Sequence, residues 1–126
     1  MKLTLCNIDY PAKVTYQAHH DYNEATGGRC IEHDLLFIIY AYSDANNHES
    51  GARNALISIL DKIGKLNACD LIFSITKTCN SQITRDQIWD AMERMDMLGN
   101  GNSWQQTLFL FALDYYEHRK TIAEKK

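Results

Sequence analysis

Hydrophobic and polar residues change their period once along this chain, near Tyr16. Before that point the period is two. Leu3 and Leu5 alternate with Lys2 and Thr4, and Tyr10, Ala12, Val14 and Tyr16 alternate with Pro11, Lys13 and Thr15. Two short alternating runs predict a β-hairpin over residues 2–16. Its turn belongs near Cys6-Asn7-Ile8, because Asn tolerates a positive φ better than its neighbours here. Pro11 donates no backbone N–H, so its position must lie on an edge. A lone hairpin is marginal, and helices are expected to cover one of its faces.

After Tyr16 apolar positions recur every three or four residues. Ala18, Tyr22 and Ala25 share one face of a short helix that Gly27 ends in the left-handed conformation. A second helix is predicted from about Ile31 to Tyr42. Its stripe of Ile31, Leu35, Ile38, Ile39 and Tyr42 is broadened by Leu36 and Phe37, which argues for a central, buried position. SDANNHES, residues 43–50, reads as a polar loop. A third helix spans about Ala52 to Leu66 with Leu56, Ile59, Leu60 and Ile63 inward, and Gly64 weakening its last turn. A fourth spans about Ala68 to Thr78 with Asn67 as its N-cap, and carries Ala68, Leu71, Ile72, Ile75 and Cys79 on its apolar face.

The sharpest local signal is ITRDQI. Ile83 precedes an N-cap Thr84, Gln87 stands three residues on, and Ile88 follows, which is a capping box inside a hydrophobic staple. That fifth helix runs through Ala91, Met92 and Met95 to Leu98 and stops at Gly99. After GNGN, Ser103 and Gln106 repeat the box spacing, and a last helix runs from about Trp104 to Ile122. Leu108, Phe111, Ala112 and Tyr115 form one of its stripes, and Phe109, Leu113 and Tyr116 a second beside it. The predicted fold is therefore mainly α: an N-terminal β-hairpin packed on a bundle of five to six helices. It is a single domain, with the hairpin in 1–16, the helical body in 17–122 and a frayed tail in 123–126.

Charge and length narrow the function classes. The formal net charge of −3 removes the basic footprint usual for nucleic-acid binders. A small helical DNA-binding regulator, with Arg85 near the start of a recognition-like helix, is the alternative reading; Asp86 and Asp90 would then face phosphates. The longest apolar run, Leu35 to Tyr42, is far short of the roughly 20 residues of a membrane helix. MKLTLCNIDYPAK has too short an apolar run for a signal peptide, so a soluble protein of the cytoplasm is expected.

Candidate chemistry concentrates in AHHDYNEATGGRC, residues 18–30. His19 and His20 are adjacent and diverge by about 100° on a helix, so they do not share one metal ion without distortion. Cys30 and His33 have a ligand-like spacing, which with either histidine gives at most part of a zinc site. The plainer expectation is no metal, with these side chains surrounding a helix end. Gly27 and Gly28 close a helix rather than open one, so ATGGRC is not a phosphate loop. DMLGNGNSWQQT fails as a calcium loop at Leu98 and Thr107, where oxygen ligands are required. Asp86, Asp90 and Glu93 share a face with Arg94 and suit a solvated ion-pair surface. Cys6, Cys30, Cys69 and Cys79 show no paired zinc spacing. Free thiols are expected, with disulfides as the alternative, and Cys69 and Cys79 belong in a core. No catalytic residue and no cofactor-binding residue is indicated.

The order of these segments resembles a known family. LTLCNIDYPAKVTY leads into a helix ending DYNEATGG; ITRDQIWDAMERM, a Gly/Asn loop and SWQQTLFLFALDYYEHRK close the chain. This is similar to the small tail assembly chaperones and related minor tail proteins of long-tailed bacteriophages, over nearly the whole chain. ATGG carries the helix cap of that pattern, Ile88-Trp89-Asp90-Ala91 the penultimate helix, and Trp104 to Tyr116 the last one. The resemblance implies a non-enzymatic phage or prophage protein that binds the tape measure protein and tail tube subunits during assembly. No nucleic-acid or membrane partner is expected from the charge and the short apolar runs, and association into homo-oligomers would be in keeping with an assembly role. The residues it nominates for partner binding are Trp104, Phe109, Phe111, Tyr115 and Tyr116; the alternative is that they are core.

Overall fold

The computed structural model describes residues 1–45, 51–98 and 103–124. The predicted Gly99 stop, the GNGN loop and the end of the 43–50 loop lie outside these residues, as does the end of the tail. Among the described residues two strands and six helices follow in order: β1 Lys2–Leu5, β2 Ile8–Pro11, α1 Tyr16–Thr26, α2 Ile31–Ala45, α3 Gly51–Lys62, α4 Lys65–Lys77, α5 Arg85–Leu98 and α6 Trp104–Glu124. The helix-dominated architecture with an antiparallel N-terminal hairpin is the one the pattern predicts.

The hairpin pairs Leu3 with Tyr10 and Leu5 with Ile8. Its two-residue turn holds Cys6 at φ 51° and Asn7 at φ 65°. Both turn residues must be left-handed for the turn to match strand twist. Asn bears this readily, whereas Cys does so against steric cost. Leu3 and Leu5 point inward and are fully buried. The second strand is shorter than its alternation suggests. Beyond Pro11 the Ala12 N–H still bonds Met1 O, but the Lys13 N–H turns to Ile75 O at the end of α4. Thr15 then caps α1, accepting from the Ala18 N–H, and Tyr16 opens the helix instead of closing the strand.

Two helix boundaries also differ from expectation. Gly64 breaks the chain rather than weakening a turn: at φ 82° and ψ 154° it leaves helical geometry altogether, so α3 ends at Lys62 and α4 starts at Lys65. Asn67 is consequently inside α4, where its amide donates to Ile63 O at 2.7 Å instead of capping. The most enclosed helix is α4, not α2. Every residue from Ala68 to Thr76 except Asp70 is buried. Its polar members are silenced locally, since the Ser74 hydroxyl donates to Asp70 O and the Thr76 hydroxyl to Ile72 O, each at 2.7 Å. Cys69 is in the core as expected, but Cys79 is exposed, because the helix ends at Lys77 before its face returns inward.

At α5 the capping box forms fully. Gln87 N–H donates to Thr84 Oγ1 at 3.2 Å, and Thr84 N–H donates to Gln87 Oε1 at 2.9 Å. Ile83 and Ile88 are both buried as the staple requires. At α6 Ser103 Oγ accepts from the Gln106 N–H, and the reciprocal bond of the box is absent among the described residues. In packing, α2 lies against both α3 and α6, α4 against both α1 and α5, and β1 against α6.

Candidate functional site

The AHHDYNEATGGRC stretch turns out to be the joint between α1 and α2. Gly27 sits at φ 73° and its N–H, like that of Gly28, bonds Asn23 O. The reversal brings Arg29 back over the first turn of α2. There Arg29 Nε donates to Asp34 Oδ2 at 2.9 Å and one terminal nitrogen to Asp34 Oδ1 at 3.0 Å, a bidentate pair. The Tyr22 hydroxyl donates to the same Oδ2 at 2.6 Å. Asp34 is a buried carboxylate whose oxygens are both satisfied, and no buried side-chain polar atom among the described residues lacks a partner. Burial, with the Asp34 carboxylate next in effect, raises the Tyr22 phenol far above its ordinary range. The cluster therefore holds the helices together and offers no free acid or base.

The histidines disperse around this joint. His19 Nε2 is 3.9 Å from Glu32 Oε1, and His20 Nε2 is 3.6 Å from Glu24 Oε1 one turn along. His19, His20 and Cys30 do line one shallow cleft of about 310 Å³, together with Tyr16, Asn23 and Arg29. His33 is not among its walls; it is 84% exposed and lies beside Asp34. Among the described residues no three His, Cys, Asp or Glu side chains are grouped closely enough to hold a metal ion. All four cysteines are free thiols.

Glu32 is the second joint, and no motif along the chain announces it. Its Oε1 accepts from the Tyr115 hydroxyl at 3.1 Å and from Arg119, while its backbone carbonyl accepts from the Tyr116 hydroxyl at 3.1 Å. At the other end of the same helix pair Tyr42 stacks on Phe109, ring centroids 4.4 Å apart. These contacts set α2 and α6 antiparallel. The five aromatic residues nominated for partner binding are buried or half-buried. Trp104 is fully buried, with Nε1 donating to Asp96 Oδ1 at 3.1 Å, and Phe111 and Tyr115 are buried as well. Phe109 and Tyr116 are half-buried against the core. The exposed apolar residues of these helices are others: Leu36 and Tyr40 on α2 and Leu110 and Leu113 on α6, with Met97 and Leu98 at the end of α5. Antiparallel pairing brings residue 36 level with residue 113.

The acidic face of α5 is split by use. Glu93 and Asp96 both clasp Lys65 Nζ, at 2.9 and 2.7 Å, and that ammonium lies 4.7 Å from the centre of the Trp89 ring. Arg85, the residue on which a DNA-reading helix would depend, donates to Asp70 Oδ1 at 2.8 Å and stacks over Phe73. No helix of the described residues is long and apolar enough to cross a membrane. No protein-family model, curated protein or solved structure matches the chain.

Proposed function

We propose that this chain is a non-enzymatic interaction protein: a tail assembly chaperone of a long-tailed bacteriophage or prophage, acting in the bacterial cytoplasm. Its partners in this reading are the tape measure protein, the tail tube subunit, or both. The observation that carries the proposal is the apolar surface outside a closed core. Leu36 and Tyr40 on α2 and Leu110 and Leu113 on α6 stand exposed on two neighbouring helices, while Ile31, Leu35, Leu108 and Phe111 of the same helices are buried in the core. A stripe of this kind suits an amphipathic helix laid along it, which is the form a long helical partner offers. The titratable clusters support a binding role over catalysis, since Tyr22, Asp34, Arg29 and Glu32 are each engaged in holding helices together. The order of hairpin, Gly-capped helix and tryptophan-bearing last two helices is what points to the phage family.

Co-purification tests it. The chain is co-expressed with the tail tube protein and with fragments of the tape measure protein encoded beside its gene. Stable complex formation with at least one of them is expected; failure to retain either removes the assignment.

A further inference from the structure

Helix α3 joins the bundle along one side. It packs against α2, into which Ala55 and Ile59 are turned as its buried side chains, while Ile57, Leu60, Asp61 and Lys62 face solvent. The contrast with α4 is large, since α4 is buried from Ala68 to Thr76 except at Asp70. At its C-terminal end α3 is also held by a residue from outside. Arg29 Nη2 donates to Lys62 O at 3.2 Å, while the same nitrogen donates to Asp34 Oδ1 at 3.0 Å. A guanidinium placed there satisfies a carbonyl that the helix itself leaves open, and it complements the helix dipole. The clamp between α1 and α2 therefore reaches α3 through one side chain.

The elements around α3 are tied to one another independently of it. The Asp34 clamp pins the start of α2 to α1, and Glu32 and Tyr42 pin α2 to α6. Gly64 separates α3 from α4. At φ 82° and ψ 154° it interrupts the helical ladder, and the first turn of α4 bonds back to it, Ala68 N–H to Gly64 O at 3.0 Å. Unwinding of α3 thus ends at Gly64 and leaves α4 whole. Segments with few buried side chains open at lower free energy than the core. We propose that α3 is a separate opening unit of this fold: it comes away from α2 while the hairpin and the other helices stay folded, and Arg29 at Lys62 O is the latch that keeps it closed. Opening brings Ala55 and Ile59 to solvent. The device follows from the packing and does not depend on which partner the protein binds.

Native-state amide hydrogen exchange of the whole protein, read residue by residue by NMR, tests it. The amides of Leu56, Ile57, Ile59 and Leu60 are expected to be about tenfold or more less protected than those of Leu71, Ile72 and Ile75 in α4. Ile88→Val weakens the core in α5, which stays folded when α3 opens. It should speed exchange in α4 by about two- to tenfold and leave α3 within about twofold of the original protein. Arg29→Lys keeps a cation for Asp34 but brings one compact head group to two acceptors. It should speed α3 exchange by about threefold, and more than it speeds exchange in α1 and α2. Protection of α3 equal to that of α4, or acceleration of α3 in step with α4 by Ile88→Val, overturns the proposal, because α3 then opens only when the whole chain unfolds. An Arg29→Lys variant whose α3 amides are unchanged, or move no more than those of α1 and α2, overturns the latch.

Discussion

The hydroxyl of Tyr22 donates a 2.6 Å hydrogen bond to the buried carboxylate of Asp34, locking the middle of α1 to the first turn of α2. Arg29, from the link between them, completes the clamp with its bidentate pair. Three residues within a short stretch thus convert a reversal of the chain into a fixed angle between two helices.

Removing one member should expose how the clamp is shared. Tyr22→Phe leaves Arg29 on Asp34 and is expected to cost about 1.5–3 kcal/mol, the range for a hydrogen bond to a charged group. Asp34→Ala strands a partly buried guanidinium and should cost about 3 kcal/mol or more. Urea midpoints measure both. The same clamp sets an alkaline limit. The folded Tyr22 phenol titrates above its unfolded value of 10.0, so its contribution is complete below about pH 10 and is lost as pH rises further. Stability should fall there by up to about 1.4 kcal/mol per pH unit for this group, and Tyr22→Phe should flatten that slope.

The glycines at the two reversals differ in what they demand. Gly27, at φ 73° and ψ 31°, is in the left-handed helical region, where Ala costs about 1 kcal/mol and Asn less. Gly64, at φ 82° and ψ 154°, lies in a region almost closed to side chains, where Ala should cost about 1–3 kcal/mol. Neither position has a neighbour that crowds an added Cβ, so the difference between the variants reports the backbone alone. Thermal unfolding of Gly27→Ala, Gly27→Asn and Gly64→Ala should rank them in reverse order of these costs.

Thiol chemistry gives an independent check on packing. Cys30 and Cys79 are exposed, Cys6 is half-buried, and Cys69 is enclosed. Burial pushes the Cys69 thiol up to about 11 from 9.0, so at neutral pH it is both inaccessible and protonated. An aromatic disulfide reagent should modify Cys30 and Cys79 rapidly and Cys6 more slowly. Cys69 should react only on unfolding, and rapid loss of all four thiols would mean that the α4–α5 contact is open.

Zinc should leave the protein unchanged. His33 projects to solvent, away from the cleft that holds Cys30, and no three-ligand group exists among the described residues. Chelator treatment is expected to leave the thermal midpoint within error, and zinc added at a few equivalents should not shift it. A rise of several degrees with one equivalent would restore the metal site.

The hairpin turn, the α5 capping box and the Gly27 stop were legible because each is written in residues close together. Asn7 supplies the turn, Thr84 and Gln87 bond each other, and Gly27 meets Asn23 one turn away. What the pattern misplaced depends on partners far along the chain. Lys13 leaves the strand because Ile75 O is waiting for its N–H, and Glu32 becomes a hub because Tyr115 and Arg119 arrive more than eighty residues later. The α6 aromatic residues show the same limit. Periodicity locates a stripe, but which stripe faces α2 and β1 is decided by those elements, so a helix apolar over much of its girth gives no inward direction by itself.

Trp104 and Leu110 separate folding from binding on the same helix. Trp104 is fully enclosed and bonded to Asp96, and Trp104→Ala should cost about 3–5 kcal/mol through the cavity it leaves. Any loss of partner binding in that variant should track the unfolded fraction and recover on cooling. Leu110 is 58% exposed, and Leu110→Asp should change stability by no more than about 0.5 kcal/mol. If α6 offers its aliphatic face to a partner, this second variant should lose affinity by about tenfold or more with its fold intact. Leu66→Asp, at a still more exposed leucine on α4, serves as the control and should bind normally. Equal affinities for the Leu110 and Leu66 variants, measured by calorimetry against the captured partner, would move the binding surface away from α6.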